Sequence, residues 1–84
     1  MPVNIRSMKS IQDPRYKDLI EKLIELRKSK GITQTSLAER LDKPQSYVAK
    51  IENFERRIDL VELYDWLKAM ECSMNKFLTS IKWL

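Results

Sequence analysis

The chain has 84 residues, a net charge of +4, no histidine and one cysteine. This length fits one domain, near the lower size limit for a core without disulfides or metals. Cys72 cannot form an internal disulfide, and without histidine the chain lacks the usual ligands of a zinc site. No apolar run approaches the ~20 residues that span a bilayer and no signal-peptide core is visible, so we expect a cytoplasmic, nucleoid-associated protein without membrane contact.

Residues 1–12 show no clear hydrophobic period, and they carry Arg6 and Lys9 among serines. We therefore predict a flexible N-terminal arm over 1–12 and a folded domain over 13–84.

The first helix is predicted to begin at Asp13-Pro14, an N-cap followed by proline at the first helical position. It is predicted to end at Gly31, the single glycine, which suits a left-handed C-terminal residue. One stripe of this helix carries Tyr16, Leu19, Ile20, Leu23, Ile24 and Arg27.

Two short helices should follow, separated by a tight corner. Thr33 is a good N-cap, and Leu37, Ala38 and Leu41 then share one face. Asp42-Lys43-Pro44 interrupts this pattern, because the residue before a proline is driven out of helical geometry, and Pro44 can open the next helix. That helix buries Val48 and Ile51, and its outward residues are Gln45, Ser46, Tyr47, Ala49 and Lys50.

Two more helices are predicted in the C-terminal third. Asp59 and Glu62 form a capping box, and Ser73 can cap the last helix. The core stripes are predicted as Leu60, Leu63, Leu67 and Met70, and then Phe77, Leu78, Ile81 and Leu84. The segment carries more apolar surface than so small a bundle readily hides, so part of it should form a dimer interface. The interface residues proposed on this basis are Trp66, Phe77, Ile81, Trp83 and Leu84.

The positive charge is concentrated on the central helix pair. Between Arg27 and Arg57 there are eight basic and four acidic side chains, a net charge of +4. The rest of the chain has eight basic and eight acidic side chains, whose charges cancel. A short helix on a positively charged surface, with amide, hydroxyl and lysine side chains exposed, suits the major groove of DNA. The pair therefore indicates a helix-turn-helix whose second member is the recognition helix.

Three motifs carry a resemblance to a known family: Gly-Ile-Thr-Gln-Thr-Ser-Leu-Ala-Glu-Arg-Leu, Pro-Gln-Ser-Tyr-Val-Ala-Lys-Ile-Glu-Asn and Glu-Arg-Arg-Ile-Asp-Leu-Val-Glu-Leu. Together they resemble the Xre family of Cro/CI-type repressors, from about Tyr16 to Leu78. The resemblance implies an all-α, compact five-helix lambda repressor-like fold, with helices 2 and 3 as the helix-turn-helix. It also implies a partly buried salt bridge between Arg27 and Glu52.

Two positions depart from the family pattern. Asp42 and Phe54 stand where glycine is common, and phenylalanine tolerates a left-handed conformation poorly. Either Asn53 takes the left-handed conformation, or Phe54 avoids it through an altered turn.

The expected DNA contacts follow from position and, in part, from the resemblance. Gln45 and Ser46 match the family's base-reading positions; Gln45 could pair with adenine, and Lys50 reads guanine or neutralises phosphate. Lys43 and Tyr47 should flank the groove. The expected contacts to the DNA backbone are Gln34, Asn53, Arg56 and Arg57. An ordered N-terminal arm would lie along that backbone or in a minor groove.

These features favour a dimeric, sequence-specific transcriptional repressor that needs no cofactor. Alternatives are the antitoxin of a toxin–antitoxin pair, with a toxin as partner, and a protein-interaction module on the same fold. RNA polymerase is a further candidate partner. An enzyme is disfavoured, because the chain has no histidine, no glycine-rich phosphate loop and no evident nucleophile–base pair.

Overall fold

The computed structural model describes residues 11–84, which form five helices joined by short connections and preceded by two helical residues, 11 and 12. Most of the predicted arm, residues 1–10, lies outside this range. The helices are α1 (Pro14–Ser29), α2 (Gln34–Leu41), α3 (Gln45–Glu52), α4 (Leu60–Ala69) and α5 (Met74–Thr79). Residues 11–84 contain no strand, and the prediction of an all-α, five-helix fold is confirmed.

Side-chain caps start four of the helices where the sequence predicted them. The caps are Asp13, Thr33, Asp59 and Ser73. Asp59 and Glu62 form the reciprocal capping box, with bonds of 2.7 and 3.0 Å. Pro44 differs from the prediction by one position, because it precedes α3 with an extended backbone (ψ 153°) and the helix begins at Gln45.

Four helices end in the same left-handed turn, although only one of these turns contains glycine. The left-handed residues are Gly31 (φ 68°), Asp42 (φ 56°), Phe54 (φ 63°) and Glu71 (φ 59°). In each turn an amide bonds back to the carbonyl five residues earlier, as from Ile32 to Arg27 at 3.1 Å and from Cys72 to Leu67 at 2.9 Å. Each turn thereby satisfies carbonyls that the helix end leaves without a partner.

Phe54 itself adopts the left-handed conformation, so both alternatives predicted for this turn are wrong. Asn53 stays at φ −90°, and the Glu55 amide bonds to the Lys50 carbonyl at 2.8 Å. A left-handed backbone costs a non-glycine residue about 1–3 kcal/mol. The half-buried Phe54 ring packs against the hydrophobic core, which offsets part of this cost.

The core is built from one face of each helix. Its fully buried large side chains are Trp66, Ile20, Leu23, Leu37, Ile51, Leu67, Met70 and Val48. The predicted stripe of α4 is rotated, because Leu60 is 71% exposed whereas Trp66 is 1% exposed. The inward face of α4 is thus Leu63, Trp66, Leu67 and Met70.

Three of the five residues assigned to a dimer interface are instead part of this core. Trp66, Phe77 and Ile81 are 1%, 4% and 3% exposed. So small a domain needs its largest apolar side chains to fill its own interior, and buried side chains offer no surface to a second copy. Trp83 and Leu84 do remain accessible, at 43% and 69%. They lie beyond the end of α5, as Ile81 does.

Candidate nucleic-acid interface

The helix-turn-helix pair is rigid because α3 packs closely on α2. Ala38 on α2 is 2% exposed, and Val48 on α3 is fully buried. The left-handed Asp42 provides the corner between them, with the Lys43 amide bonded to the Ala38 carbonyl at 2.9 Å. With its apolar face held inward, α3 exposes Gln45, Ser46 and Lys50 along its outer edge.

A buried ion pair joins the end of α3 to α1. Arg27 Nε and Nη2 donate to the two carboxylate oxygens of Glu52 at 2.7 and 2.9 Å. The remaining Nη1 donates to the Ile32 carbonyl at 2.8 Å. The two side chains are only 8% and 4% exposed, so the pair predicted from the resemblance is present and largely shielded from water.

A chain of hydrogen bonds runs from this ion pair to the surface. Gln34 Nε2 donates to Glu52 Oε1 at 2.8 Å, and Gln45 Nε2 donates to Gln34 Oε1 at 2.8 Å. An ionised carboxylate accepts hydrogen bonds and donates none. Glu52 therefore requires the amide nitrogen of Gln34, which turns the Gln34 oxygen toward Gln45 and fixes the orientation of the Gln45 amide.

This orientation leaves Gln45 with the groups that adenine requires. One N–H of Gln45 is used by Gln34, so its carbonyl oxygen and its second N–H remain for an outside partner. Adenine presents one donor and one acceptor in the major groove, and a glutamine amide can pair with both. Gln34 likewise retains one N–H, which is sufficient for the phosphate contact predicted for it.

Tyr47 is turned toward its own protein more than the sequence indicated. Its hydroxyl donates to Glu62 Oε2 at 3.2 Å and accepts from Trp66 Nε1 at 3.2 Å. Its ring meets Trp66 edge-on, with 6.2 Å between ring centroids. Burial raises the Tyr47 pKa, so the hydroxyl stays protonated. Tyr47 thus links α3 to α4, and because its hydrogen is donated to Glu62 its hydroxyl has none left to donate to DNA.

Three basic side chains near α3 make contacts within the protein itself. Arg56 donates to both carboxylate oxygens of Glu62 at 3.1 and 2.9 Å. Arg56 and Lys43 lie over the Tyr47 ring, 5.1 and 5.4 Å from its centroid. Arg57 lies over the Tyr16 ring at 5.4 Å. The predicted backbone contacts Asn53, Arg56 and Arg57 are exposed, and so is Lys43, which is expected to flank the groove.

Two basic side chains from residues 27–57 bind backbone carbonyls at the C-terminal end of α4. Arg40 donates to the Ala69 carbonyl at 2.8 Å, and Lys30 donates to the Glu71 carbonyl at 3.1 Å. Cations there satisfy terminal carbonyls and complement the helix dipole. The charge beside α3 is accordingly smaller than the sequence count suggested.

Glu62 is a residue that the sequence identified only as a helix cap. In the structure its carboxylate also joins Arg56, Tyr47 and the Asp59 amide at one point. The capping-box spacing makes Glu62 recognisable at the start of α4, but no local signal shows that α3 lies against it. Likewise, no local signal in the sequence shows that Trp66 contacts Tyr47.

We predict that Glu62 contributes to the acid sensitivity of the fold. The hydrogen bonds from Arg56, and then that from the Asp59 amide, lower the Glu62 pKa from its ordinary value of 4.5. A lowered pKa stabilises the native state above the ordinary value, and this stability is lost as the pH falls through the folded pKa. Between about pH 5 and pH 3, the Glu62→Gln variant should therefore lose less stability than the wild type, by roughly 0.5 kcal/mol because solvent screens the pair.

Urea titrations at the two pH values measure this difference. Glu21→Gln, on the exposed side of α1, is the matched control and should lose stability in parallel with the wild type. Equal acid sensitivity of the wild type and Glu62→Gln would contradict the assignment.

Other kinds of site have little support among residues 11–84. No helix in this range is long and apolar enough to cross a membrane. The same residues contain no group of three or more potential metal ligands of the His, Cys, Asp or Glu type.

Comparison with known proteins agrees with this geometry. A family model described as helix-turn-helix matches residues 23–77. An XRE-family like protein from Pseudomonas syringae pv. tomato str. DC3000 is a solved structure with 39% sequence identity and a TM-score of 0.80. The match covers 90% of this chain and 93% of that chain. No curated protein matches the sequence.

Proposed function

The chain belongs to the XRE family of DNA-binding helix-turn-helix proteins, and we propose that it is a sequence-specific transcriptional regulator. In this proposal two copies bind an operator through the major groove and repress transcription by covering a promoter. The observation that carries the proposal is the exposed edge of α3, where Gln45 is oriented by Gln34 and Glu52.

The dimensions of α3 suit this role. An α-helix with its side chains is about 10–12 Å in diameter, so α3 fits the major groove, which is about 12 Å wide. Gln45 and Ser46 occupy its first turn, the part of a recognition helix that reaches base edges. Lys50 lies one turn farther on, where it can meet a guanine edge or a phosphate.

Backbone contacts position the helix on both sides. In this proposal Gln34 contacts one phosphate, and Asn53 and Arg57 contact the backbone beyond the far end of α3. Arg56 can contact phosphate with a part of its guanidinium while Glu62 holds the rest. These contacts supply salt-dependent affinity, whereas Gln45 and Ser46 supply discrimination between sequences.

A pair of domains extends the recognised sequence. Two recognition helices about 34 Å apart meet successive major grooves on one side of the duplex. A two-fold dimer thus reads an operator whose halves are inverted repeats.

We predict that Gln45→Ala reduces discrimination between the operator and a scrambled duplex. Loss of one bidentate base contact costs about 1–3 kcal/mol, roughly 5- to 150-fold in relative affinity. The operator can be selected from random duplexes with the wild-type protein, and fluorescence anisotropy at fixed salt then measures both affinities. Asn75→Ala, an exposed amide on α5, is the matched control and should leave both affinities unchanged.

Equal loss of affinity for both duplexes would show that Gln45 does not read a base.

Lys50→Ala separates the two roles of that lysine in the same assay. Loss of salt dependence alone identifies a phosphate contact, whereas loss of discrimination identifies a base contact. Failure to select any duplex would overturn the regulator proposal itself.

A further inference from the structure

An apolar patch remains uncovered at the start of α4. Leu60, Val61 and Tyr64 are 71%, 69% and 52% exposed. Their spacing places them side by side on one helix face, since residues three and four apart are neighbours. A contiguous exposed cluster of large apolar side chains marks a binding surface more often than a single exposed leucine does.

A groove continues this patch toward the end of α4. It has a volume of about 400 Å³, and its lining includes Tyr64, Leu67, Cys72 and Met74, together with the exposed Lys68 and Glu71. The projecting patch thus lies on one side of Tyr64, and the recessed groove lies on the other. A surface with both features on one helix can be complementary to itself.

We propose that this face of α4 is the dimer interface, and that its occupant is a second copy of the chain. The two α4 helices lie antiparallel across a two-fold axis at Tyr64. Leu60 of each copy then enters the groove of the other beside Lys68, because both residues are four positions from Tyr64. An isologous contact of this kind is made twice and closes the assembly at two subunits.

Charge favours this antiparallel arrangement. Asp59 immediately precedes Leu60, and the groove that receives Leu60 is lined on the α4 side by Lys68, with Glu71 farther on beyond the end of the helix. Antiparallel packing brings Asp59 of one copy toward Lys68 of the other at both ends of the interface. A parallel arrangement would instead set Asp59 against Asp59 and Lys68 against Lys68, which is repulsive.

The location of the face is compatible with DNA binding by both copies. Val61 is next to Glu62, which holds Arg56 and Tyr47 at the edge of the candidate nucleic-acid interface. Neither the patch nor the groove includes Gln45, Ser46 or Lys50, so contact through this face of α4 does not use them. The inference deepens the proposed function and rests on its dimeric form.

The small area of this face determines how strongly the free protein is expected to dimerise. Stable interfaces bury about 1,200–2,000 Å² in total, more than three side chains and one groove can supply. The free dimer is accordingly weak, and binding to a two-fold operator strengthens it by holding both copies together.

Cysteine cross-linking tests the geometry, because Cys72 already lines the groove. Leu60→Cys should form a disulfide with Cys72 of the other copy when the full-length protein is oxidised. Within one chain this disulfide is excluded: the Cys72 amide is bonded to the Leu67 carbonyl at 2.9 Å, and Leu67 is about 10 Å from Leu60 along the helix axis, whereas a disulfide needs Cα atoms within about 7 Å. We expect a dimer on a non-reducing gel, and a peptide in the mass spectrum that joins the substituted position to Cys72.

Two variants control for chance collision. Leu60→Cys combined with Cys72→Ser should stay monomeric, and so should Leu84→Cys, which replaces another highly exposed leucine. A cross-linked dimer from either control, or none from Leu60→Cys, would overturn the proposed interface. If Gln45→Ala still loses discrimination in that case, the regulator proposal stands and only the dimer face is wrong. If cross-linking succeeds but no duplex is selected, the interface stands and the DNA-binding proposal fails.

Discussion

Arg27→Met is expected to lower the free energy of unfolding by about 3–5 kcal/mol, because it leaves the buried Glu52 carboxylate without its cation. Glu52 is 4% exposed at its side chain, and only the Gln34 amide would remain as a donor to it. The Ile32 carbonyl loses its donor as well. Domains of this size have only about 5–15 kcal/mol of stability, so the variant should be close to unfolding. Urea denaturation followed by circular dichroism measures the effect.

Two further variants show whether Arg27→Met loses stability because Glu52 is left unpaired or only because contacts are lost. In the Arg27→Met/Glu52→Met double variant no charge is left unpaired, so much of the lost stability should return. Arg15→Met removes the partner of Asp13 in a surface pair, where the Arg15 side chain is 67% accessible, and should cost far less stability than Arg27→Met because water screens both charges. Similar losses for Arg27→Met and Arg15→Met would show that the buried pair contributes no more than a surface pair.

Trp66→Ala is expected to lower the free energy of unfolding by about 3–5 kcal/mol, at every protein concentration. Trp66 is 1% exposed in the core, and its Nε1 donates to the Tyr47 hydroxyl. The substitution opens a cavity under α4 and removes one of the bonds that hold α3 in place. Chemical denaturation at two protein concentrations tenfold apart measures the loss and shows whether it arises within one chain.

The second tryptophan provides the matched control. Trp83 is 43% exposed, and its Nε1 donates to Asp18 at 3.2 Å. Trp83→Ala should cost much less than Trp66→Ala, because the partly exposed Trp83 ring leaves no enclosed cavity when it is removed. A Trp66→Ala variant that kept its stability but lost dimerisation would reverse the assignment of Trp66 to the core.

The family motifs and the helix starts could be predicted from sequence because their signals are local. Asp13, Thr33 and Ser73 bond to amides two or three residues away, so spacing alone reveals them. The salt bridge between Arg27 and Glu52, 25 residues apart, was predictable only through the family resemblance. Residue by residue, the sequence identified the candidate base readers on α3 but not the bonds that orient them.

Amino-acid order by itself thus determined five helices, the corner between α2 and α3, and a recognition helix with an outward polar edge. Tertiary packing decided the rest: the rotation of α4 that buries Trp66 and exposes Leu60, the left-handed backbone of Phe54, and the inward bonds of Tyr47. The division has a physical cause. Caps and breaks depend on neighbours a few residues away, whereas the choice of face depends on volumes and hydrogen-bond partners that distant segments supply.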